Sequence, residues 1–362
     1  MSSQFVLPSF VGRVVKSVVT PAVIDFWAAE LGFDGRVERT VCRVVARWME
    51  TADAATLVVK PNRNFAGFQA GQHVNLSVEI DGIRHTRSYS FSEAPAATGL
   101  LAITVKKVPN GRVSNYLVDH VNVGDRIELG QAFGDMTFAQ GAPEKIVMLA
   151  AGSGVTPLMS LLRELAKQQM PSDVVFMFWA RTRADLIFRE ELEALAAQYS
   201  QLRVVPIYEH ETKLQAGDLT GRPCAEQFAD IADMNERTVY ACGPTGFMNA
   251  VQTLVADQAQ EFHAEAFTPP VFVPSSTETV RVFLKKSNKH VDLPQGMPLL
   301  DALEAQGIKP NSGCRMGICN TCACGKFGGV TRNLLTQELD VDDTASLRIC
   351  VSAAVGDLTL DL

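Results

Sequence analysis

The chain has 362 residues, of which 47% are apolar and 20% are charged. These proportions are ordinary for a globular protein with an ample core, and the length predicts two or three domains. The formal net charge of −7 provides no basic field for nucleic acid. The sequence lacks an uninterrupted apolar run of about 18 residues, so we expect no membrane-spanning helix. Eight cysteines without a secretory signal predict reduced thiols and a cytoplasmic location.

Residues 1–38 form an arm ahead of the predicted domains. Apolar residues at positions 10–19 recur in pairs four apart, which predicts an amphipathic helix that ends at Pro21. A second helical piece carries Phe26 and Trp27. This arm either docks on a membrane or a partner, or packs on its own domain. Because only two cations mark its polar face, we favour packing.

Residues 39–141 carry short segments that are rich in β-branched residues and bounded by Gly, Pro, Asn or Asp. Such segments predict strands. Together with one helix at residues 114–120, their spacing predicts a small antiparallel β-barrel. The predicted strands cover residues 40–46, 56–60, 73–80, 100–107 and 126–129.

Two short motifs in the predicted barrel suit a flavin. In the first, Arg-Ser-Tyr-Ser, the arginine offers fixed donors to a phosphate and the tyrosine offers an aromatic face. Its last residue, Ser90, can hydrogen-bond near flavin N5, the atom that accepts a hydride. The second, Gly-Arg-Val-Ser, would place backbone N–H groups at a helix N-terminus, which favours a pyrophosphate. Either motif alone is weak, but the pair is specific. The candidates are Arg87, Ser88, Tyr89, Ser90, Val105, Gly111, Arg112, Val113 and Ser114.

Residues 142–268 alternate apolar strands with helical segments, which predicts a parallel α/β sheet. A strand at residues 145–151 runs into Gly-Ser-Gly-Val-Thr-Pro, and a strand at 238–242 runs into Gly-Pro-Thr-Gly. Loops at the carboxyl ends of such strands converge on one crevice, where we expect a nicotinamide nucleotide. A Gly-x-Gly alone often marks only a tight turn, so the second loop matters. The candidates are Gly152, Gly154, Thr156, Pro157, Cys242, Gly243 and Pro244.

Three of the residues in this region bear on the hydride donor. Cys242 stands directly before Gly-Pro at a strand end, which favours contact with the nicotinamide, although a small buried residue is the ordinary alternative. With Ser90 it is the residue that we place nearest the reaction. Arg181 and Arg183 follow the second strand, where an adenosine ribose would be bound, and no acidic residue stands at that strand tip. They favour the 2′-phosphate of NADPH over NADH, unless they are merely solvated loop residues.

The most specific motif lies in residues 278–362, behind a proline-rich linker at 269–277. Cys314, Cys319 and Cys322 stand in C-x4-C-x2-C spacing, and Cys350 follows near the C-terminus. This is the ligand pattern of a plant-type [2Fe–2S] cluster. A zinc site usually shows paired short spacings or histidines, and a thioredoxin-like motif would sit at a strand-to-helix junction. A disulfide framework does not suit a long chain without a signal peptide. We expect the surplus Cys324 to be a small buried residue.

Together these motifs resemble the ferredoxin–NADP reductase superfamily, in the branch with a C-terminal plant-type ferredoxin. The resemblance covers about residues 40–362. It implies a multidomain fold: an antiparallel β-barrel for the flavin, a parallel α/β domain for the nucleotide, and an α+β, β-grasp domain for the cluster. FAD is implied rather than FMN, because residues 133–138 resemble the segment that accommodates an adenylate. Glu265 and Phe267 stand where the family has a Glu and an aromatic residue near the flavin.

The function implied by the resemblance is electron transfer. NADPH would deliver a hydride to the flavin, and the electrons would pass singly through the cluster to an external acceptor. The N-terminal arm looks most like that of the partners of bacterial acyl-CoA or fatty-acid desaturases. We therefore expect an oxygenase or desaturase acceptor, a desaturase above all, which is either soluble or membrane-bound. The reductase is expected in the cytoplasm, and at the inner face of a membrane if the acceptor is membrane-bound. The alternatives are an NADH-dependent reductase of a ring-hydroxylating, steroid or phenylacetyl-CoA oxygenase, reduction of a small substrate or O2 at the flavin, and a redox-sensing module.

Overall fold

A computed structural model describes residues 39–231, 233–267, 278–317 and 319–362. The predicted N-terminal arm and the predicted linker at 269–277 lie outside the described residues. Within those ranges the chain forms an antiparallel sheet, a parallel sheet and a smaller C-terminal unit with mixed pairing. The multidomain fold that the sequence predicts is confirmed. No helix in the described ranges is long and apolar enough to cross a bilayer.

The first sheet is antiparallel, with the strand order β4-β3-β6-β1-β2-β5. A bridge between Phe91 and Ile103 connects its two edges, so the sheet curls into the predicted barrel. A helix, α1, follows β5 and packs Val113 and Leu117 against the barrel core. The elements are β1 Thr40–Thr51, β2 Ala54–Pro61, β3 His73–Ile80, β4 Ile83–Ser90, β5 Leu101–Lys106, α1 Arg112–Asp119 and β6 Arg126–Phe133.

The hairpin of β3 and β4 carries a polar face. His73 pairs with Ser90, and Asn75 pairs with Ser88. Directly opposed residues on antiparallel strands point to the same side, so these four side chains share one face. Because β4 is an edge strand, the hairpin is open to the other parts of the molecule.

The second sheet is parallel, with the strand order β10-β9-β8-β7-β11-β12. The chain starts in its middle at β7, builds outward through β8 and β9, then returns to the other side of β7 with β11. This reversal opens a crevice outside the carboxyl ends of β7 and β11, the usual ligand position in such sheets. The strands are β7 Lys145–Ala151, β8 Asp173–Ala180, β9 Leu202–Tyr208, β10 Leu219–Thr220, β11 Thr238–Gly243 and β12 Glu261–Ala266.

Helices cover both faces of the parallel sheet. The helices α2 (Val155–Lys167) and α3 (Arg189–Gln198) pack on one face, and α4 (Thr245–Val255) packs on the other. Since both faces are buried, β7 is an almost continuous apolar run. The N-termini of α2 and α4 follow directly from β7 and β11, so both point at the crevice.

The C-terminal unit contains a five-stranded sheet, ordered β14-β13-β20-β15-β18, and a three-stranded sheet, ordered β17-β16-β19. The helix α5 (Leu299–Ala305) packs Leu299, Leu300 and Leu303 into its core. The buried ammonium of Lys326 donates to the carbonyl of Asp340 at 2.8 Å and so joins the two sheets. The strands are β13 Thr279–Leu284, β14 Lys289–Pro294, β15 Ala323–Phe327, β16 Thr331–Asn333, β17 Leu339–Asp340, β18 Thr344–Arg348, β19 Ser352–Ala354 and β20 Leu358–Leu360.

Candidate functional site

Ser90 is the last residue of the Arg-Ser-Tyr-Ser motif and the C-terminal residue of β4. Its side chain is 2% exposed, and its Oγ has no hydrogen-bond partner within the described residues. A buried hydroxyl without a partner costs about 1–3 kcal/mol. A polar ligand atom beside Ser90 would remove that cost, so the arrangement fits the heteroatom edge of a flavin ring.

His73, which sequence reasoning missed, lies opposite Ser90 and is 1% exposed. Its Nε2 lies 2.8 Å from Oε2 of Glu265 in β12, although the two atoms do not align as a hydrogen bond. Phe267 meets the His73 ring edge-on, with the ring centroids 5.8 Å apart. The barrel and the parallel sheet therefore meet beside Ser90, and Glu265 and Phe267 lie at this junction, where the resemblance placed them. A lone histidine in a strand gives no sequence signal of this contact.

The remaining residues of the Arg-Ser-Tyr-Ser motif divide between the two sides of β4. Arg87 and Tyr89 point away from the face of Ser88 and Ser90, because side chains alternate along a strand. Arg87 is exposed, and its Nη1 donates to the carbonyl of Thr86 at 2.7 Å. Burial raises the pKa of the Tyr89 hydroxyl, which therefore stays protonated. A flavin held by this motif would wrap around the edge strand.

The second flavin motif forms a tight turn into α1. A Cβ at Gly111 would lie 2.4 Å from Oγ of Ser114, so the turn closes only around glycine. The Ser114 hydroxyl accepts the backbone N–H of Val108 at 3.3 Å. Arg112 pairs with Asp81 at 2.9 Å on the surface. The side chains of two candidates, Val105 and Val113, are buried in the barrel core and can offer a ligand only their backbone.

The two predicted nucleotide loops touch each other through their backbones. A Cβ at Gly154 would lie 2.1 Å from the carbonyl oxygen of Cys242 and 2.7 Å from the backbone nitrogen of Gly243. Only glycine therefore allows this approach. Thr156, at the start of α2, is buried and donates to the carbonyl of Ser153 at 3.1 Å.

Cys242 is fully buried, with 0% of its surface exposed. Burial, followed by the charge of Glu265, raises the pKa of its thiol well above the ordinary value. Its side chain does not line the cleft described next, although its neighbour Pro244 does. The contact of Cys242 with a nicotinamide stays a prediction.

A cleft of about 600 Å³ opens at the carboxyl ends of β7, β8 and β11. Gly152, Arg181 and Pro244 border it, together with Arg222, which sequence reasoning missed. The Arg181 side chain is 63% exposed and lies 3.7 Å or more from its acidic neighbours. Arg183 is held instead in an ion pair with Asp218. The two arginines at the cleft are therefore Arg181 and Arg222.

The four predicted ligand cysteines converge as two pairs. The thiols of Cys314 and Cys319 are hydrogen-bond neighbours, and so are those of Cys322 and Cys350. Within the described residues, no group of three or more His, Cys, Asp or Glu side chains is arranged to hold a single metal ion. A pairwise arrangement instead fits a binuclear cluster, in which each iron takes two protein thiolates.

The loop around the cysteines directs donors at their sulfurs. The backbone N–H groups of Met316 and Cys319 point to Sγ of Cys314, at 3.3 and 3.4 Å. The Cys314 thiol, with further donors from the backbone of Cys314 and from Thr321, lowers the pKa of Cys319 to about 5. A hydrogen bond from the Cys350 thiol lowers the pKa of Cys322 to about 7. The same two hydrogen bonds raise the pKa of the donor thiols of Cys314 and Cys350, so the loop favours one thiolate, the form that binds iron, in each pair.

Among the described cysteines of the C-terminal unit, the surplus Cys324 is the one whose thiol is not hydrogen-bonded to another thiol. Its side chain packs in the apolar core of the unit, as do those of Cys322 and Cys350. Burial raises the pKa of its thiol to about 11. Cys324 therefore stays a thiol, as expected for a small core residue.

Three family models match the chain in the order of its sheets. An oxidoreductase FAD-binding domain matches residues 42–138, an oxidoreductase NAD-binding domain matches 148–253, and a 2Fe-2S iron-sulfur cluster binding domain matches 282–355. These matches correspond to the barrel, the parallel sheet and the C-terminal unit.

Known proteins with the same organisation are similar over most of the chain. An NADPH oxidoreductase of Mycobacterium tuberculosis is 36% identical over 88% of this chain and 83% of its own length. A glycine betaine monooxygenase reductase subunit of Chromohalobacter salexigens is 31% identical over 72% and 78%. The crystal structure of phthalate dioxygenase reductase shares the fold, with a TM-score of 0.59 and 20% identity over 90% of this chain and 98% of that chain.

The chain therefore belongs to the ferredoxin–NADP reductase superfamily, in the branch with a C-terminal [2Fe–2S] domain. It is an oxidoreductase of the ferredoxin reductase type, and its cofactors are FAD, a [2Fe–2S] cluster and NAD(P)H. The unpartnered Ser90 hydroxyl, the cleft at the switch point and the paired thiols each fit the corresponding group.

Proposed function

We propose that this reductase takes electrons from NADPH through FAD and the cluster to an oxygen-activating enzyme, with a fatty-acyl desaturase as the acceptor. The observation that carries the proposal is the pairing of four thiols in a chain that also binds FAD. A cluster of this kind carries one electron at a time, which a one-electron acceptor needs and a hydride acceptor does not.

The residue roles follow from the chemistry that the bound groups supply, namely hydride transfer and single-electron transfer. Ser90 hydrogen-bonds the flavin ring near N5, and Arg87 together with Gly111 to Ser114 holds its phosphates. Glu265 and Phe267 close the site from the parallel sheet. The loops at Gly152 to Pro157 and Cys242 to Pro244 hold the nicotinamide nucleotide. Cys314, Cys319, Cys322 and Cys350 bind the iron atoms.

The choice of NADPH rests on positive charge at the nucleotide cleft. Lys106, Arg181 and Arg222 border the cleft together with two acidic residues, Asp185 and Glu209, which leaves one positive charge in excess. A guanidinium binds a phosphate through fixed, paired donors. The name of the mycobacterial relative, an NADPH oxidoreductase, agrees with this choice. The choice of a desaturase rests on the similarity of the N-terminal arm alone.

A second candidate acceptor is a monooxygenase or a ring-hydroxylating oxygenase, supplied from NADH. The names of two relatives favour it: a glycine betaine monooxygenase reductase subunit and a phthalate dioxygenase reductase. A redox-sensing module is disfavoured, because the net charge of −7 provides no basic field of the kind that binds DNA.

The test of the proposed function is the visible spectrum of the anaerobic protein before and after NADPH or NADH. We expect flavin bands with a broad iron–sulfur shoulder, bleached faster by NADPH than by NADH. Electron delivery to purified candidate acceptors then separates desaturase from oxygenase. Flavin bands without the shoulder in the iron-reconstituted protein would rule out the electron path, and faster bleaching by NADH would rule out the choice of NADPH.

Ser90→Ala should slow flavin reduction while sparing the fold. Removing one preorganised donor beside a reacting group typically costs about 100- to 1,000-fold in rate. Because Ser90 Oγ has no protein partner, alanine removes an unsatisfied buried hydroxyl, and the flavin-free protein should keep or raise its melting temperature. Stopped-flow absorbance with NADPH and thermal denaturation measure the two quantities.

Ser92→Ala is the matched control for this variant. The buried Ser92 hydroxyl bonds Oγ1 of Thr104 at 2.8 Å, so its loss should cost about 1 kcal/mol of stability. The rate of flavin reduction should stay unchanged. If Ser90→Ala reduced its flavin at the wild-type rate, Ser90 would have no part in the hydride step.

A further inference from the structure

A chain of hydrogen bonds joins the β3–β4 hairpin to the cysteine loop. Oγ of Ser88 donates to Oδ1 of Asn75 at 2.6 Å, and Nδ2 of Asn75 donates to Oγ1 of Thr321 at 3.1 Å. The Thr321 hydroxyl lies beside the sulfur of Cys319, to which it can donate. The donors all run in one direction, from the flavin motif in the barrel to a cysteine of the cluster loop.

Local backbone features on both sides favour this chain. In β6 the register shifts opposite Asn75, and the extra residue of the bulge lies next to this side chain. Such bulges commonly re-aim side chains beside binding sites. In the cysteine loop, a Cβ at Gly313 would lie 2.7 Å from Sγ of Cys319 and 2.9 Å from Oγ1 of Thr321. Glycine at 313 therefore leaves room for the hydroxyl to approach the sulfur.

This chain of hydrogen bonds lies next to the place where the parallel sheet meets the barrel. His73 and Ser90 form one cross-strand pair, and Asn75 and Ser88 form the next pair on the same face. Two residues along a strand span about 7 Å. One face of the hairpin thus touches Glu265 of the parallel sheet at one pair and Thr321 of the C-terminal unit at the next.

We propose that Asn75 and Thr321 are positioning residues, which dock the cluster loop on the flavin-binding hairpin and fix a hydrogen bond on the Cys319 ligand. This inference deepens the proposed function and rests on it. Hydrogen bonds to cysteine sulfur help to set the cluster potential, since they stabilise the more negative, reduced state. Asn75 controls the orientation of the Thr321 hydroxyl, much as an outer partner orients a metal ligand.

Thr321→Val and Asn75→Ala in the full-length, cluster-loaded protein test the proposal. Thr321→Val should shift the cluster midpoint potential to a more negative value in an anaerobic redox titration. Asn75→Ala should shift it in the same direction by less. Both variants should slow electron transfer from flavin to cluster by about 10- to 100-fold, the usual range for a lost outer partner. Thr321→Ser keeps the hydroxyl and should restore both quantities.

Ser77→Ala is the matched control on the hairpin. Ser77 bonds Thr86 at 2.7 Å in the next cross-strand pair. Its loss should change neither the cluster potential nor the rate of transfer. NADPH should reduce the flavin at the wild-type rate in every variant.

The outcomes separate this inference from the function on which it rests. An iron–sulfur spectrum with wild-type potential and rate in Thr321→Val would overturn the inference and leave the function intact. A shift in Thr321→Val with none in Asn75→Ala would also overturn it, because the hydroxyl would then act without the barrel. A wild-type protein that binds no cluster would overturn the proposed function itself.

Discussion

Cys322→Ser should abolish the reduction of cytochrome c by NADPH while leaving the reduction of the flavin intact. A serine hydroxyl does not supply the soft thiolate that iron prefers, so the pair of Cys322 and Cys350 is broken. Cytochrome reduction should fall by more than the roughly 100-fold that is typical of losing an outer metal partner. Steady-state cytochrome assays and stopped-flow flavin absorbance measure the two steps on the same preparation.

Cys324→Ala is the control for that variant. Cys324 lies two residues away but its thiol is not hydrogen-bonded to another thiol, and burial raises its pKa to about 11. The Cys324→Ala variant should retain the cluster and the reduction of cytochrome c. The double variant, Cys322→Ser with Cys324→Ala, should behave like Cys322→Ser alone. Cytochrome reduction that survives in Cys322→Ser and disappears in the double variant would show that Cys324 replaces the lost ligand. Survival in both would contradict the electron path.

Gly154→Ala should lower kcat/KM for NADPH by about 100-fold and destabilise the parallel-sheet domain. The new Cβ would lie 2.1 Å from the carbonyl oxygen of Cys242, so one of the two nucleotide loops must shift. A misplacement of about 1 Å near reacting atoms can cost about 100-fold in rate. Overpacking of this kind costs about 1–3 kcal/mol. Steady-state kinetics with NADPH and thermal denaturation measure both effects.

Gly246→Ala is the control for the fold in that experiment. No heavy atom lies within 4 Å of an added Cβ at Gly246, which sits in the first turn of α4. Alanine also favours a helix over glycine, so the melting temperature should stay equal or rise slightly. If Gly154→Ala matched the wild type in melting temperature and kcat/KM, the two loops would not approach as closely as described.

In the barrel and the parallel sheet, sequence patterns predicted the interior strands well and missed three edge strands, β4, β10 and β12. The strands His73–Ile80 and Lys145–Ala151 have the predicted bounds, because burial gives them a recognisable apolar pattern. The bounds of β4 were not predicted, and β12 was not predicted as a strand at all. Both lie at sheet edges, and β4 is mostly exposed or half-buried, so the apolar signal is lost. These same edges carry Ser90 and Glu265.

The candidate site was predictable where a short motif carries the chemistry. The cysteine spacing, the Arg-Ser-Tyr-Ser motif and the two glycine loops each lie within a few residues. Contacts between distant parts of the chain were not predictable. His73 lies near Glu265, and Asn75 bonds Thr321 across 246 positions of sequence. Arg222 reaches the cleft from a loop without any motif. Such residues are found only when the fold brings them together.

In addition to the contact between Asn75 and Thr321, the polypeptide itself joins the C-terminal domain to the rest of the protein. Only ten residues, 268–277, separate the described parts of the chain on either side, so the covalent tether spans at most about 36 Å. A covalent connection that reaches across makes docking an intramolecular event and so raises the effective local concentration of the domain. Electron transfer from the flavin to the cluster therefore does not require a high-affinity interface between the two domains. The same domain supplied as a separate polypeptide should therefore bind too weakly to be reduced efficiently.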